Sequence, residues 1–78
     1  MESEGKEILD LRGALIPVAL LKFTKAFREM EPEKTMEILM ADDSTRANLL
    51  MVLKAFSYEM LANEKVGNIY RMLLRKKG

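Results

Sequence analysis

The order of apolar patterns along this chain predicts an α+β fold: a two-layer sandwich, β-α-β-α-β-β, with two helices on one face of a four-stranded mixed sheet. Three observations carry that prediction. Ile16, Leu20, Phe23, Phe27 and Met30 recur at helical spacing over four turns. Short alternating runs stand before and after that segment. The last third reads as two strands joined at a turn through Gly67 and Asn68.

Each element follows from its own residues. Residues 1–6 are polar and are expected to be a disordered N-terminus, leaving 7–78 as a single domain. Residues 7–12 read as a strand that ends at Gly13, where a sharp turn is permitted. Pro17 suits the first helical position, which needs no amide hydrogen, so a helix is expected over 17–30. Its polar side carries Lys22, Lys25, Arg28 and Glu29, and Pro32 stops it. Thr35–Ala41 forms a second strand with Met36, Ile38 and Met40 on one face. Asp43 or Ser44 caps a second helix over roughly 45–56, whose apolar positions are Leu49, Val52, Leu53 and Phe56. Tyr58–Glu64 and Ile69–Lys76 are the hairpin strands, and either Tyr70/Met72/Leu74 or Ile69/Arg71/Leu73 must face the side without helices. The helix joining the first two strands implies a right-handed crossover and parallel pairing.

Composition narrows the chemistry. The 78 residues have room for one small domain, with 49% apolar and 32% charged residues. No Cys is present, which excludes disulfides, thiolate catalysis and Cys-ligated metals. No His is present, which excludes imidazole acid–base work and His-ligated metals. Neither a cofactor nor a metal site is expected. The net charge of +1 weighs against a domain whose affinity comes from bulk phosphate contacts. The longest apolar run, Ala14–Leu21, is too short to span a bilayer, and the acidic start is unlike a signal peptide, so the expected location is cytoplasmic. The seven Met residues suit gap-filling in a small core.

Several stretches resemble the TusA/SirA-like sulfur-carrier family in order and spacing. Leu9-Asp10-Leu11-Arg12-Gly13-Ala14-Leu15-Ile16-Pro17 is similar to the family's Leu-Asp-x-x-Gly followed by Cys-Pro-x-Pro. Met30-Glu31-Pro32-Glu33 resembles its Met-x-Pro-Gly helix end, and Ala41-Asp42-Asp43 its Ala-Asp-Asp-Pro stretch. Gly67 with Tyr70-Arg71 and Leu74-Arg75-Lys76 resembles its final hairpin. The resemblance spans about residues 8–77 and is poor from Ala47 to Met60. It implies the same β-α-β-α-β-β fold. It also implies that the family's reactive cysteine, which carries sulfur as a persulfide, falls on Ile16, and the second Pro on Ala19. A hydrocarbon side chain takes up no sulfur, so the family's transfer chemistry is not carried over and no catalysis is expected.

Two functional readings follow. The first is a non-catalytic, cysteine-less adaptor or regulator related to sulfur-relay proteins, which binds a protein partner as a monomer or weak homodimer. Its docking patch would be Leu15, Ile16, Pro17, Val18 and Leu21, since helical geometry turns Val18 and Leu21 away from the core stripe. The alternative is a nucleic-acid-binding regulatory module that uses Lys22, Lys25 and Arg28 together with the Arg75-Lys76-Lys77 tail. In that reading Tyr58 and Tyr70 would stack bases on the open face of the sheet. Asp42 and Asp43 read as capping and dipole partners of the second helix rather than as a metal site.

Overall fold

In the computed structural model, which describes residues 6–78, the elements are β1 (Lys6–Asp10), α1 (Ile16–Glu29), β2 (Thr35–Met40), α2 (Asp43–Leu53), β3 (Tyr58–Val66) and β4 (Ile69–Lys76). The strands lie in the order β1-β2-β4-β3. β1 runs parallel to β2, and the other two pairings are antiparallel. This is the mixed, helix-covered sheet that the patterns predict.

The register decides which side chains meet the helices. Met36, Ile38 and Met40 of β2 are fully buried, as are Met72 and Leu74 of β4. Side chains alternate along a strand, so Thr35, Glu37 and Leu39 face the open side with Arg71, Leu73 and Arg75. This settles the two options for β4 in favour of Ile69/Arg71/Leu73 outward. Tyr58 and Tyr70 therefore lie on the helix side, half-buried against the core, and not on the open face.

Phe23 and Phe27 of α1 enter the core beside Phe56, with ring centroids 5.3, 5.7 and 5.2 Å apart. Leu49 and Leu53 of α2 complete the layer. Ala19 is also fully buried, a position the apolar stripe leaves out, while Ile16 and Leu20 are only half-buried. Four Met residues, 30, 36, 40 and 72, are core residues, but Met51 is exposed on α2.

Element boundaries depart from expectation where local chemistry is decisive. Lys6 belongs to β1 and not to a disordered tail, because it pairs with Thr35 on the neighbouring strand; the rest of the expected disordered segment, 1–5, lies outside the described residues. Ile16 is the first helical residue and Pro17 follows it in the first turn. α2 starts earlier than expected because Asp42, rather than Asp43 or Ser44, is its cap. α2 also ends at Leu53, and Phe56 reaches the core from the following turn.

At the far end of α1, the Lys76 ammonium donates to the carbonyls of Phe27 (2.8 Å), Arg28 (3.2 Å) and Met30 (2.6 Å). A cation on the last carbonyls satisfies the acceptors that a helix leaves free at its C-terminus. Glu33 then turns the chain at φ 74° and donates its amide to the Lys76 carbonyl at 2.7 Å. That backbone conformation suits glycine, and a glutamate holds it under strain.

Candidate docking site at the start of the first helix

Parallel β1 and β2 each lead into a helix, so α1 and α2 begin at one end of the sheet. β4 starts at that same end, where Met40 pairs with Tyr70, and β3 finishes there, where Lys65 pairs with Tyr70. Ile16 therefore sits at a junction bounded by both helix starts and the β3–β4 turn.

The loop that delivers Ile16 is tightly built. Leu11 is buried, and its amide donates to the Leu39 carbonyl at 2.8 Å, extending the ladder past β1. The Asp10 carboxylate accepts the Arg12 amide (3.1 Å), Nε (2.8 Å) and Nη2 (2.7 Å). Hydrogen bonds from the Arg12 side chain, then from its amide, hold the Asp10 carboxyl down at about 2. Gly13 reverses the chain at φ 82°; a side chain there would meet no neighbour, so the backbone angle alone calls for glycine. Ala14 donates to the Leu11 carbonyl at 3.1 Å and closes the turn.

The helix start is apolar. Leu15 takes the extended N-cap conformation, its side chain caps nothing, and it is 75% exposed. Its carbonyl accepts the Ala19 amide at 2.8 Å. Pro17 has no amide hydrogen, so Ile16 and Val18 hold the first-turn donors that have no helical acceptor. Val18 and Leu21 are 42% and 71% exposed, and Pro17 is exposed as well. Pro17–Leu21 and Val18–Leu21 are neighbours on a helix surface, so with Leu15 they make an apolar ridge over the first two turns. Ile16 stands at its base, half-buried. All five predicted residues thus lie in one segment, four of them exposed. The described residues enclose no pocket.

The chemistry of the place is clear from its geometry. A group on residue 16 lies at the positive end of α1 beside unpaired amides, where an anion such as a thiolate gains stability. Isoleucine supplies only a sec-butyl group. The Asp10–Arg12 clamp was not among the expectations drawn from the sequence. Its signal is an acid and an arginine two residues apart before a glycine.

The basic residues of the nucleic-acid reading are divided by the structure. Lys22, Lys25 and Arg28 are exposed on α1. Arg75 is paired with Glu59 (2.8 Å), and Lys76 is taken up by α1 carbonyls, so neither belongs to a free basic tail. At the start of α2, Asp42 accepts the Thr45 amide at 2.8 Å and Asp43 pairs with Arg46. The Arg46 guanidinium lies 4.9 Å from the Tyr70 ring centroid, an intramolecular use of both groups.

Comparison with known proteins agrees with this architecture. The family model described as "Sulfurtransferase TusA" matches residues 7–76. The "Putative sulfur carrier protein YrkF" of Bacillus subtilis (strain 168) is 31% identical over 71 residues, covering 91% of this chain. The chain spans 38% of that relative's length. The crystal structure of a SirA-like protein from Desulfitobacterium hafniense superposes with a TM-score of 0.70 at 22% identity, covering 91% of this chain and 97% of the other. The solution structure of HP1264 from Helicobacter pylori gives 0.69 at 17% identity, covering 92% and 99%. No helix among the described residues is long and apolar enough to cross a membrane.

Proposed function

The chain belongs to the TusA sulfurtransferase family, and on that premise we propose that it is a non-catalytic member, an adaptor or regulator that docks on a protein of a sulfur relay without itself carrying sulfur. One observation carries this reading: Ile16 opens α1 at the place where the family resemblance puts the reactive cysteine. With no Cys anywhere in the chain, no persulfide can form. The surface around the lost thiol is nonetheless apolar and exposed at Leu15, Pro17, Val18 and Leu21. Such a ridge is what a partner built to receive the family's helix start would contact. The reading needs no cofactor and places the protein in the cytoplasm.

Binding of the purified chain to a sulfurtransferase or cysteine desulfurase of the relay tests it. Wild type is expected to bind, and Val18→Glu to lose roughly tenfold or more in affinity, since a charge at the centre of an apolar contact is left desolvated. Absence of binding, or binding indifferent to Val18→Glu, overturns the proposal. Ile16→Cys adds a second readout. The restored thiol is expected to take one sulfur atom from a desulfurase persulfide, seen by mass spectrometry, because the helix start favours thiolate.

A further inference from the structure

Resting on the docking reading above, we propose that the outer face of α1 is banded along its length, apolar, then basic, then acidic, and that the relay partner meets it with complementary bands: an apolar recess, a carboxylate strip and a basic edge, in that order.

The near-neutral net charge hides a segregation. The chain holds 13 Lys+Arg and 12 Asp+Glu, yet no carboxylate stands between Leu11 and Arg28 or between Ser44 and Ser57. The outer faces of the two helices therefore carry exposed cations without acids beside them: Lys22, Lys25 and Arg28 on α1, and Lys54 just past α2. On the open face of the sheet the cations are matched instead. Lys6 pairs with Glu37 at 3.0 Å, Arg71 with Glu37 at 2.5 Å and with Glu64 at 2.7 Å, and Arg75 with Glu59 at 2.8 Å. Among the described residues no carboxylate pairs with Lys22, Lys25 or Arg28. These three stand at successive i,i+3 positions, where like charges repel. The row is destabilising in the isolated chain, and carboxylates supplied from outside relieve it.

The row is continuous with the docking ridge. At 100° per residue, Val18, Leu21, Lys22, Lys25, Arg28 and Glu29 fall within an arc of about 120°, and all six are exposed. Along that arc the chemistry changes in order. Leu15, Val18 and Leu21 are the apolar band, Lys22, Lys25 and Arg28 the basic one, and Glu29 with exposed Glu31 and Glu33 of the following turn the acidic one. Val18 to Glu29 spans about 17 Å at 1.5 Å per residue, within one side of a standard protein interface.

The order of the bands selects the occupant. A phosphate polymer or an anionic bilayer is negative throughout and repels Glu29, Glu31 and Glu33. A nucleic acid also finds no exposed aromatic side chain on either helix to stack on. A protein surface changes sign over short distances and can match all three bands. Such complementarity speeds encounter and fixes register. With Leu15 and Val18 in the apolar recess, the partner's carboxylates lie over the second and third turns of α1, so the direction of docking along the helix is set.

Association and dissociation rates with the purified cysteine desulfurase of the relay test this. Association of wild type is expected to slow about tenfold between roughly 0.05 M and 0.5 M salt. Lys22→Glu/Lys25→Glu is expected to lower kon about tenfold with koff changed less than about threefold, whereas Lys22→Arg/Lys25→Arg keeps both rates. Val18→Glu is expected to act through koff. Glu29→Lys/Glu31→Lys separates banding from plain attraction: a banded contact slows association, and a uniformly negative surface speeds it. All these positions are exposed, and unchanged circular dichroism checks each fold. Faster association of Glu29→Lys/Glu31→Lys overturns the proposal, as does comparable affinity of wild type for phosphatidylserine vesicles or duplex DNA. Association indifferent to salt and to Lys22→Glu/Lys25→Glu, with binding still lost in Val18→Glu, overturns the charge bands alone and leaves the docking reading standing. A wild type that does not bind the desulfurase overturns both.

Discussion

The two helices begin at the same end of the sheet and are finished there in opposite ways. α2 opens on Asp42, whose carboxylate takes the Thr45 amide, with Asp43 held by Arg46. α1 opens on Leu15, which is largely exposed and caps nothing, and on Pro17, which removes a donor. A side-chain cap is worth about 1 kcal/mol. α1 does without it because Phe23 and Phe27 are buried against the sheet further along. Both helices are anchored by buried apolar residues, Phe23 and Phe27 in α1 and Leu49 and Leu53 in α2, and only α2 adds a side-chain cap at its start. The first turn of α1 is left with exposed hydrocarbon at Leu15, Pro17 and Val18.

The largest test removes the middle anchor. Phe23→Ala is expected to cost about 3–5 kcal/mol in urea unfolding, a large part of the stability of a domain this size. A loss under about 1 kcal/mol would show that α1 is held elsewhere. Next come the two caps, which should move in opposite directions. Asp42→Ala is expected to lose about 1 kcal/mol, and Leu15→Asp to gain a similar amount by supplying the missing cap, while weakening relay-partner binding. Stability raised and binding lowered by one substitution would mark the first turn of α1 as kept uncapped for recognition; a Leu15→Asp protein that binds as wild type would break that link.

The far end of α1 allows a smaller test. Glu33 sits at positive φ, so Glu33→Gly is expected to stabilise the fold by roughly 0.5–1 kcal/mol despite glycine's greater freedom when unfolded. An increase in Tm checks it. The smallest effects per group are those of pH. Glu37 is held below the ordinary carboxylate range by hydrogen bonds from Arg71 and then Lys6, Asp42 by those from Thr45, and Asp10 by those from Arg12. A depressed folded pKa gives stability that is complete above the unfolded value and is lost as pH falls through the folded one. Urea midpoints are therefore expected to be flat near neutrality and to fall from about pH 4.5 downward. Asp42→Ala should flatten part of that fall, and an unchanged slope would show that the cap does not titrate.

Much of the fold was legible because its signals are local. The +4/+3 spacing of Phe23, Phe27 and Met30 and the alternation of Met36, Ile38 and Met40 follow from the 3.6 and 2 residue periods of helix and strand. Those residues are buried as the spacing requires. The exposure of Val18 and Leu21 was legible for the same reason. Ala19 was not, because a small side chain adds little to an apolar stripe, yet it sits fully buried at the first-turn contact. The cap of α2 was displaced by one residue, since Asp42, Asp43 and Ser44 are all competent caps and only the path of the chain leaving β2 selects among them.

By itself the amino-acid sequence determined the element order, the burial of Phe23, Phe27 and Met30, and a hydrocarbon rather than a thiol at residue 16, because periodicity and side-chain identity are properties of neighbours along the chain. Only the tertiary structure decided which side of β4 faces outward, that Lys76 closes α1 some fifty residues upstream, and that Lys6, Glu37, Arg71 and Glu64 join into one chain of charges. Those outcomes depend on strand register, which sets side by side residues that are far apart in sequence, and no local pattern encodes that alignment.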